Sequence, residues 1–158
     1  MNIEELKEFL VKAKKSTYAN INAPKIASKR LDSKDYEYEE INNGNKYTYH
    51  DTYFGGINFM GEEIVYINDL PVWGMNYYGV TIDSNLSEEA MDKALRPALM
   101  QVGTDNTIPV RGPKKYTNEE YLYSFTCNDG LDKFQGTEQI KKNDELVYEL
   151  HCHGGLIK

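Results

Sequence analysis

The strongest constraint on the fold is internal to the chain. Residues 59–79, FMGEEIVYINDLPVWGMNYYG, align without a gap on residues 134–154, FQGTEQIKKNDELVYELHCHG, at an offset of 75 positions. Phe59 falls on Phe134, Gly61 on Gly136, Glu63 on Glu138, Asn68-Asp69 on Asn143-Asp144, Val72 on Val147 and Gly79 on Gly154. Such self-similarity marks a supersecondary unit used twice, since one unit alone cannot bury its apolar face. It predicts two halves, about 1–83 and 84–158, in a single domain spanning 1–158.

Each half reads as a helix followed by antiparallel strands. Ile3, Leu6, Phe9, Leu10 and Ala13 recur at helical spacing over residues 3–15. Residues 16–34 show no period and read as a long irregular segment. Alternation then predicts strands over 36–40, 46–53, 63–67 and 72–78, with turns at Asn43-Gly44 and Asn68-Asp69. Ser84 or Ser87 caps a second helix, which Pro97 kinks or ends. An extended stretch follows over 109–116, then strands over 121–127, 134–140 and 146–153, with turns at 128–130 and 142–144. The predicted class is α+β: helix-plus-four-strand halves related by a pseudo-twofold axis. Their antiparallel sheets join or curl together, with the helices packed outside and a cleft near the axis.

Composition narrows the function. The net charge of −7 argues against direct nucleic-acid binding, where phosphate neutralisation supplies much of the affinity. Lys12, Lys14 and Lys15 read as a solvated helix face. No apolar run spans a bilayer and the N-terminus has no signal-peptide core, so a soluble cytoplasmic protein without membrane contact is expected. Cys127 and Cys152 fit no metal spacing and are expected as reduced thiols.

The duplication also sorts candidate site residues. A polar residue kept in both halves, such as Glu63 with Glu138, points to structure; one present in a single half points to function. That selects Glu62, Asn76, Arg111 and His153, together with Asp51, whose counterpart is Thr126. Trp73, Tyr77 and Tyr53 are the aromatic walls expected beside them. Arg111, before Gly112-Pro113, either forks onto an anionic ligand or pairs with an acidic side chain. His151 and His153 share a strand face, but with His50 as the remaining histidine a metal site is not expected. Phosphate-loop, dinucleotide and nucleophile-elbow motifs are missing, and no cofactor is implied.

Several motifs in combination resemble an uncharacterised bacterial family, the domain-of-unknown-function family 5680. They are His50-Asp51-Thr52-Tyr53-Phe54-Gly55-Gly56, Phe59-Met60-Gly61-Glu62-Glu63, Pro71-Val72-Trp73-Gly74-Met75-Asn76-Tyr77, Arg111-Gly112-Pro113, Phe134-Gln135-Gly136-Thr137-Glu138, and the terminal run from His153 to Lys158. Gly74 departs from the serine-like residue expected there. The resemblance implies an intracellular protein of bacterial or phage origin, of a type also found behind Xre-type helix-turn-helix domains. It brings no activity and no catalytic residue.

The leading expectation is therefore a sensor or sequestering domain for a small polar or anionic molecule. A small hydrolase or isomerase using His153 with Asp51 or Glu62 is the second reading. An interaction module presenting Tyr36, Tyr38, Tyr47 and Tyr49 is the third. The sequence leaves homo-oligomerisation open.

Overall fold

The computed structural model describes residues 2–158, the side chain of Asp129 excepted. The helix α1 (Ile3–Ser16) is followed by strands β1 (Lys34–Asn42), β2 (Asn45–Gly55), β3 (Asn58–Ile67) and β4 (Leu70–Thr81). A second helix, α2 (Glu88–Leu99), precedes β5 (Lys115–Asn118), β6 (Tyr121–Gly130), β7 (Lys133–Lys142) and β8 (Glu145–Leu156). All eight strands form one open antiparallel sheet in the order β1-β2-β3-β4-β8-β7-β6-β5. Each half is a meander, and the two meet edge to edge where Asn76 faces His153 and Tyr77 faces Cys152. The chain is thus an α+β protein whose sheet stays open, with β1 and β5 at its edges.

Details of the meanders recur at the offset read from the sequence. Bulges interrupt β3–β4 between Val65 and Tyr66, and β7–β8 between Ile140 and Lys141. The following turns carry left-handed residues at Asn68 and Asp69 (φ 51° and 65°) and at Asn143 and Asp144 (49° and 68°). Two consecutive positive φ values match the right-handed twist of hairpin strands, and Asn and Asp tolerate that region well.

One sheet face is buried and the other is open. Tyr49, Val65, Trp73, Met75, Phe125, Ile140, Tyr148 and Leu150 all point to the buried face, as period-2 alternation dictates. Both helices cover this face, α1 over β1 and β2, α2 beside β5 and β6. Leu6, Phe9, Leu10 and Ala13 of α1 and Met91, Ala94, Leu95 and Ala98 of α2 join the strands in one hydrophobic cluster. Asn2 caps α1 by accepting from the Glu4 N–H at 3.0 Å, and Ser87 caps α2 by accepting from Ala90 at 3.2 Å. Pro97 lies in the last turn of α2, where it denies the Lys93 carbonyl its usual donor. Asn118 on β5 supplies a donor instead, at 3.2 Å.

Three expectations change. The segment 109–114 is not extended: it folds into turns that bury Val110 and carry Arg111 inward. The Asn128-Asp129-Gly130 triplet is not a turn. Pairing continues to Gly130 opposite Lys133, and the connection is Leu131–Asp132. Core packing decides this point, because Leu131 is buried and its carbonyl accepts the Trp73 indole N–H at 3.1 Å. Lys14, finally, is not solvated but fully buried, on the stripe of Leu6 and Leu10.

Most of the irregular segment is tied down. Ile26 bridges to Asp35, and the buried Asp35 carboxylate accepts from Thr52 Oγ1 at 2.6 Å, from Ser33 and from the Lys29 N–H at 3.2 Å. These hydrogen bonds outweigh burial and hold Asp35 below the ordinary aspartate range, although burial alone would raise it. His50 lies 3.0 Å from the same carboxylate on the open face.

Candidate functional site

Beneath the helices, the buried face carries charge as well as hydrophobic side chains. Lys14 of α1 is ion-paired with Glu63 of β3, both fully buried. In the other half Arg111 grips Glu138 in a fork, Nε to Oε2 at 2.9 Å and Nη2 to Oε1 at 2.8 Å. Tyr123 and Tyr148 complete the shell of Glu138, donating at 2.7 and 3.0 Å. Gly112 allows this packing: its N–H donates to the Tyr123 hydroxyl at 2.9 Å, and a Cβ there would stand 2.7 Å from that oxygen.

The two glutamates, aligned at the 75-residue offset, are therefore unequally served. Glu138 has every lone-pair direction engaged, whereas Oε1 of Glu63 has no hydrogen-bond partner among the described residues. Part of the difference is in the sequence: Trp73 stands where the second half has Tyr148, so one phenol donor is lost. Tyr49 pairs with Val65 as Tyr123 pairs with Ile140, but its buried hydroxyl has no hydrogen-bond partner among the described residues.

Next to Glu63 across the β2–β3 ladder lies Asp51, with 1% of its surface exposed. Tyr77 donates to its Oδ1 at 2.6 Å. Gly61 makes this reach feasible, since a Cβ there would come within 2.4 Å of the Tyr77 oxygen. Among the described residues Asp51 has no ion-pair partner. Burial, and then the neighbouring Glu63 carboxylate, push the Asp51 carboxyl up to about 8, against the pull of Tyr77, Lys14 and Arg111. Burial lowers the affinity of Lys14 for its proton, Glu63 opposing it. The phenols of Tyr18, Tyr77 and Tyr148 are raised, burial first, and stay protonated.

A cavity of about 80 Å³ opens beside Asp51, between α2 and the junction of β4 with β8. Asp51, Tyr77 and Arg111 are among its polar lining residues, with Tyr18, Glu88, Asp92 and Arg96. Tyr53, Phe59 and Tyr148 supply aromatic wall, with Phe59 stacked on Tyr148 at 6.3 Å between centroids and edge-on to Tyr77 at 6.1 Å. Leu95 and Arg96 of α2 close the opposite side. Arg96 is held by Asp92 at 3.1 Å and donates to the Tyr18 carbonyl. An enclosure with apolar walls and a few convergent polar groups is the usual form of a small-molecule site.

Four of the residues selected from sequence, Asp51, Tyr53, Tyr77 and Arg111, thus border one cavity. Trp73 lies in the core instead, stacked on Phe134 at 5.9 Å. Asn76 and His153 are cross-strand neighbours on the open face and exposed. Glu62 is also on that face, paired with Arg30. His153 therefore has neither Asp51 nor Glu62 as an acid–base partner: Asp51 is behind the sheet, and Glu62 is engaged elsewhere. Of the four tyrosines expected to form an interaction surface, Tyr47 and Tyr49 are buried beside Phe9 and Lys14 of α1, Tyr36 is buried against Tyr53, and Tyr38 is half-buried beside Phe9. Among the described residues no group of three or more His, Cys, Asp or Glu could hold a metal ion.

The sequence alone did not mark Lys14, Tyr18, Phe59, Leu95 or Tyr148 as members of this environment. For Lys14 the signal was present, because positions 6, 10 and 14 fall on one helix stripe. Tyr18 belongs to an aperiodic segment and carried no such signal.

The fold and site define a two-layer α+β domain with a buried ionisable cluster opening on a small cavity. Residues 51–157 match the family model described as "Domain of unknown function (DUF5680)", and the chain belongs to that family. The matched region includes Asp51, Glu63, Tyr77, Arg111 and Glu138, whereas Lys14 and Tyr18 precede it. Comparisons with curated proteins and with solved structures gave no match. No helix among the described residues is long and apolar enough to cross a membrane.

Proposed function

We propose that this domain binds a small polar molecule in the cavity beside Asp51, as a sensing or sequestering device. The observation that carries the reading is one buried carboxyl without an ionic partner, set at the edge of an aromatic-walled cavity. Buried polar groups are costly unless satisfied. Asp51 receives one hydrogen bond, from Tyr77, and a ligand's polar end would complete its shell. Arg111 stands by on the same cavity, its charge matched by Glu138. The ligand's body would rest on Phe59, Tyr53 and Tyr148.

The same reading takes the two meanders as products of an internal duplication about a pseudo-twofold axis between β4 and β8. The recurring bulges and turns support it. The cavity is then a specialisation of the first meander, because strand pairing gives Asp51 and Tyr53 the counterparts Phe125 and Cys127, and Tyr77 aligns with Cys152.

The test is a screen of small neutral, cationic and anionic compounds by ligand-observed NMR, against the natural protein and Leu95→Phe. Leu95 lines the cavity, and a phenyl ring there fills it. Binding that Leu95→Phe abolishes is the expected result. Binding in no chemical class, or binding indifferent to Leu95→Phe, would remove the proposal.

A further inference from the structure

Resting on that reading, the charge balance of the buried face points to the class of ligand. Two cations, Lys14 and Arg111, are buried there with three carboxyls, Asp51, Glu63 and Glu138. Each cation is already committed, Lys14 to Glu63 and Arg111 to Glu138. Asp51 is the carboxyl left over, and it alone of the three borders the cavity. We propose that the cavity takes a small organic cation, an ammonium on a short apolar body, whose charge pairs with Asp51.

Three further observations agree. An anion would add negative charge beside Glu63 and Glu138 and would have to compete with Glu138 for the engaged edges of Arg111. The walls are faces and edges of Tyr53, Phe59 and Tyr77, and aromatic faces attract cations. An ammonium already stands beside two of the lining residues: Lys34 Nζ donates to the Gly55 carbonyl at 2.8 Å, approaches Glu88 at 3.4 Å and lies 5.4 Å from the centre of the Tyr53 ring. Glu88 and Asp92 border the cavity too, each beside a cation of the chain, Lys34 and Arg96.

Without a ligand, the surplus carboxyl resolves its imbalance by keeping a proton. An ammonium would displace that proton, so binding and Asp51 ionisation are linked. Titratable groups face Asp51 from every neighbouring strand: Tyr36 on β1, Tyr49 and Tyr53 on β2, Glu63 on β3 and Tyr77 on β4. Lys14 of α1, Tyr18 beyond it and Arg111 approach from above, and Asp92, Arg96 and Tyr148 stand across the cavity. Tyr18, Tyr49, Tyr77 and Tyr148 are raised by burial and stay neutral in the neutral range, and Arg111 stays charged.

The experiment uses a matched set differing only in its end group: isobutylamine, isobutanol and isobutyrate. Affinities are measured by NMR titration at pH 6, 7 and 8.5 on the natural protein, Asp51→Asn and Leu95→Phe. The amine should bind at least about tenfold tighter than the alcohol or the acid, a difference of about 1.4 kcal/mol. Its affinity should rise by up to about tenfold per pH unit to about pH 8, because one proton leaves as it binds. Asp51→Asn should abolish both the preference and the pH dependence, and Leu95→Phe should block binding with Asp51 intact. If isobutanol or isobutyrate binds as tightly as the amine, or the amine ignores pH and Asp51→Asn, the cation assignment falls while the binding reading stands. If none of the three binds the natural protein, the cation assignment falls with them, and the broader screen described above decides the binding reading separately.

Discussion

Asp51 shows how one residue can couple stability to pH. The folded protein keeps the Asp51 proton up to about pH 8, whereas the unfolded chain releases it in the ordinary aspartate range. Between those limits the folded state binds more protons than the unfolded state, so stability falls as pH rises, by at most about 1.4 kcal/mol per unit from this group. Below the ordinary aspartate range, and above about pH 8, its contribution to the slope vanishes. Asp51→Asn keeps the shape and removes the titration. Urea unfolding at pH 5 and pH 8 should therefore show a larger loss across the interval for the natural protein than for the variant. Equal losses would mean that Asp51 is ionised when folded. The Tyr77 hydrogen bond works against the proton, and Gly61 beneath it lets the phenol cross between strands.

At the scale of elements, α2 depends on a strand to finish it. Pro97 leaves the Lys93 carbonyl without its helical donor, and Asn118 on β5 fills the gap. Asn118→Ala should cost about 0.5–1 kcal/mol, near the low end for a hydrogen bond because this one is exposed. In a Pro97→Ala background a backbone N–H returns, and the cost of Asn118→Ala should shrink. A double-mutant cycle by chemical denaturation measures the coupling; additive costs would show that Asn118 does not serve the helix end. The elements themselves were largely legible, because strand alternation and the offset between halves act locally. Trp73, Met75 and Tyr77 sort to one face, and Tyr148, Leu150 and Cys152 do the same. The turns at 109–114 and 131–132 were not legible, since they follow from burying Val110 and Leu131, and turn composition is blind to tertiary packing. The cavity was half legible. Asp51 and Arg111 stand out as polar residues present in one half only, and Tyr53 and Tyr77 as aromatic strand residues, but Tyr18 and Leu95 arrive through helix docking and leave no pattern in their own neighbourhood.

Across the whole molecule, each half of the sheet is tied to what covers it by one buried ion pair. Arg111–Glu138 fastens the turns before β5 to the second meander, and Lys14–Glu63 fastens α1 to the first. The second tie is the weaker design, because Glu63 lacks the phenol donors that surround Glu138. A buried pair is poor evidence of net stability, but breaking one is costly, because the remaining charge is left without a partner. Lys14→Met should therefore destabilise the protein by about 3–5 kcal/mol. The loss should be amplified by Asp51, which sits beside the stranded Glu63 and loses an attractive neighbour in Lys14. Adding Glu63→Met removes the stranded charge and fills similar volume, so the double variant should recover most of the stability in urea melts. If the double variant stays as unstable as Lys14→Met, the lysine contributes through packing of its alkyl chain against α1's neighbours, and not through charge. Recovery would instead show that α1 is held by hydrophobic packing, and that the ion pair serves to set the charge balance in which Asp51 is the surplus carboxyl.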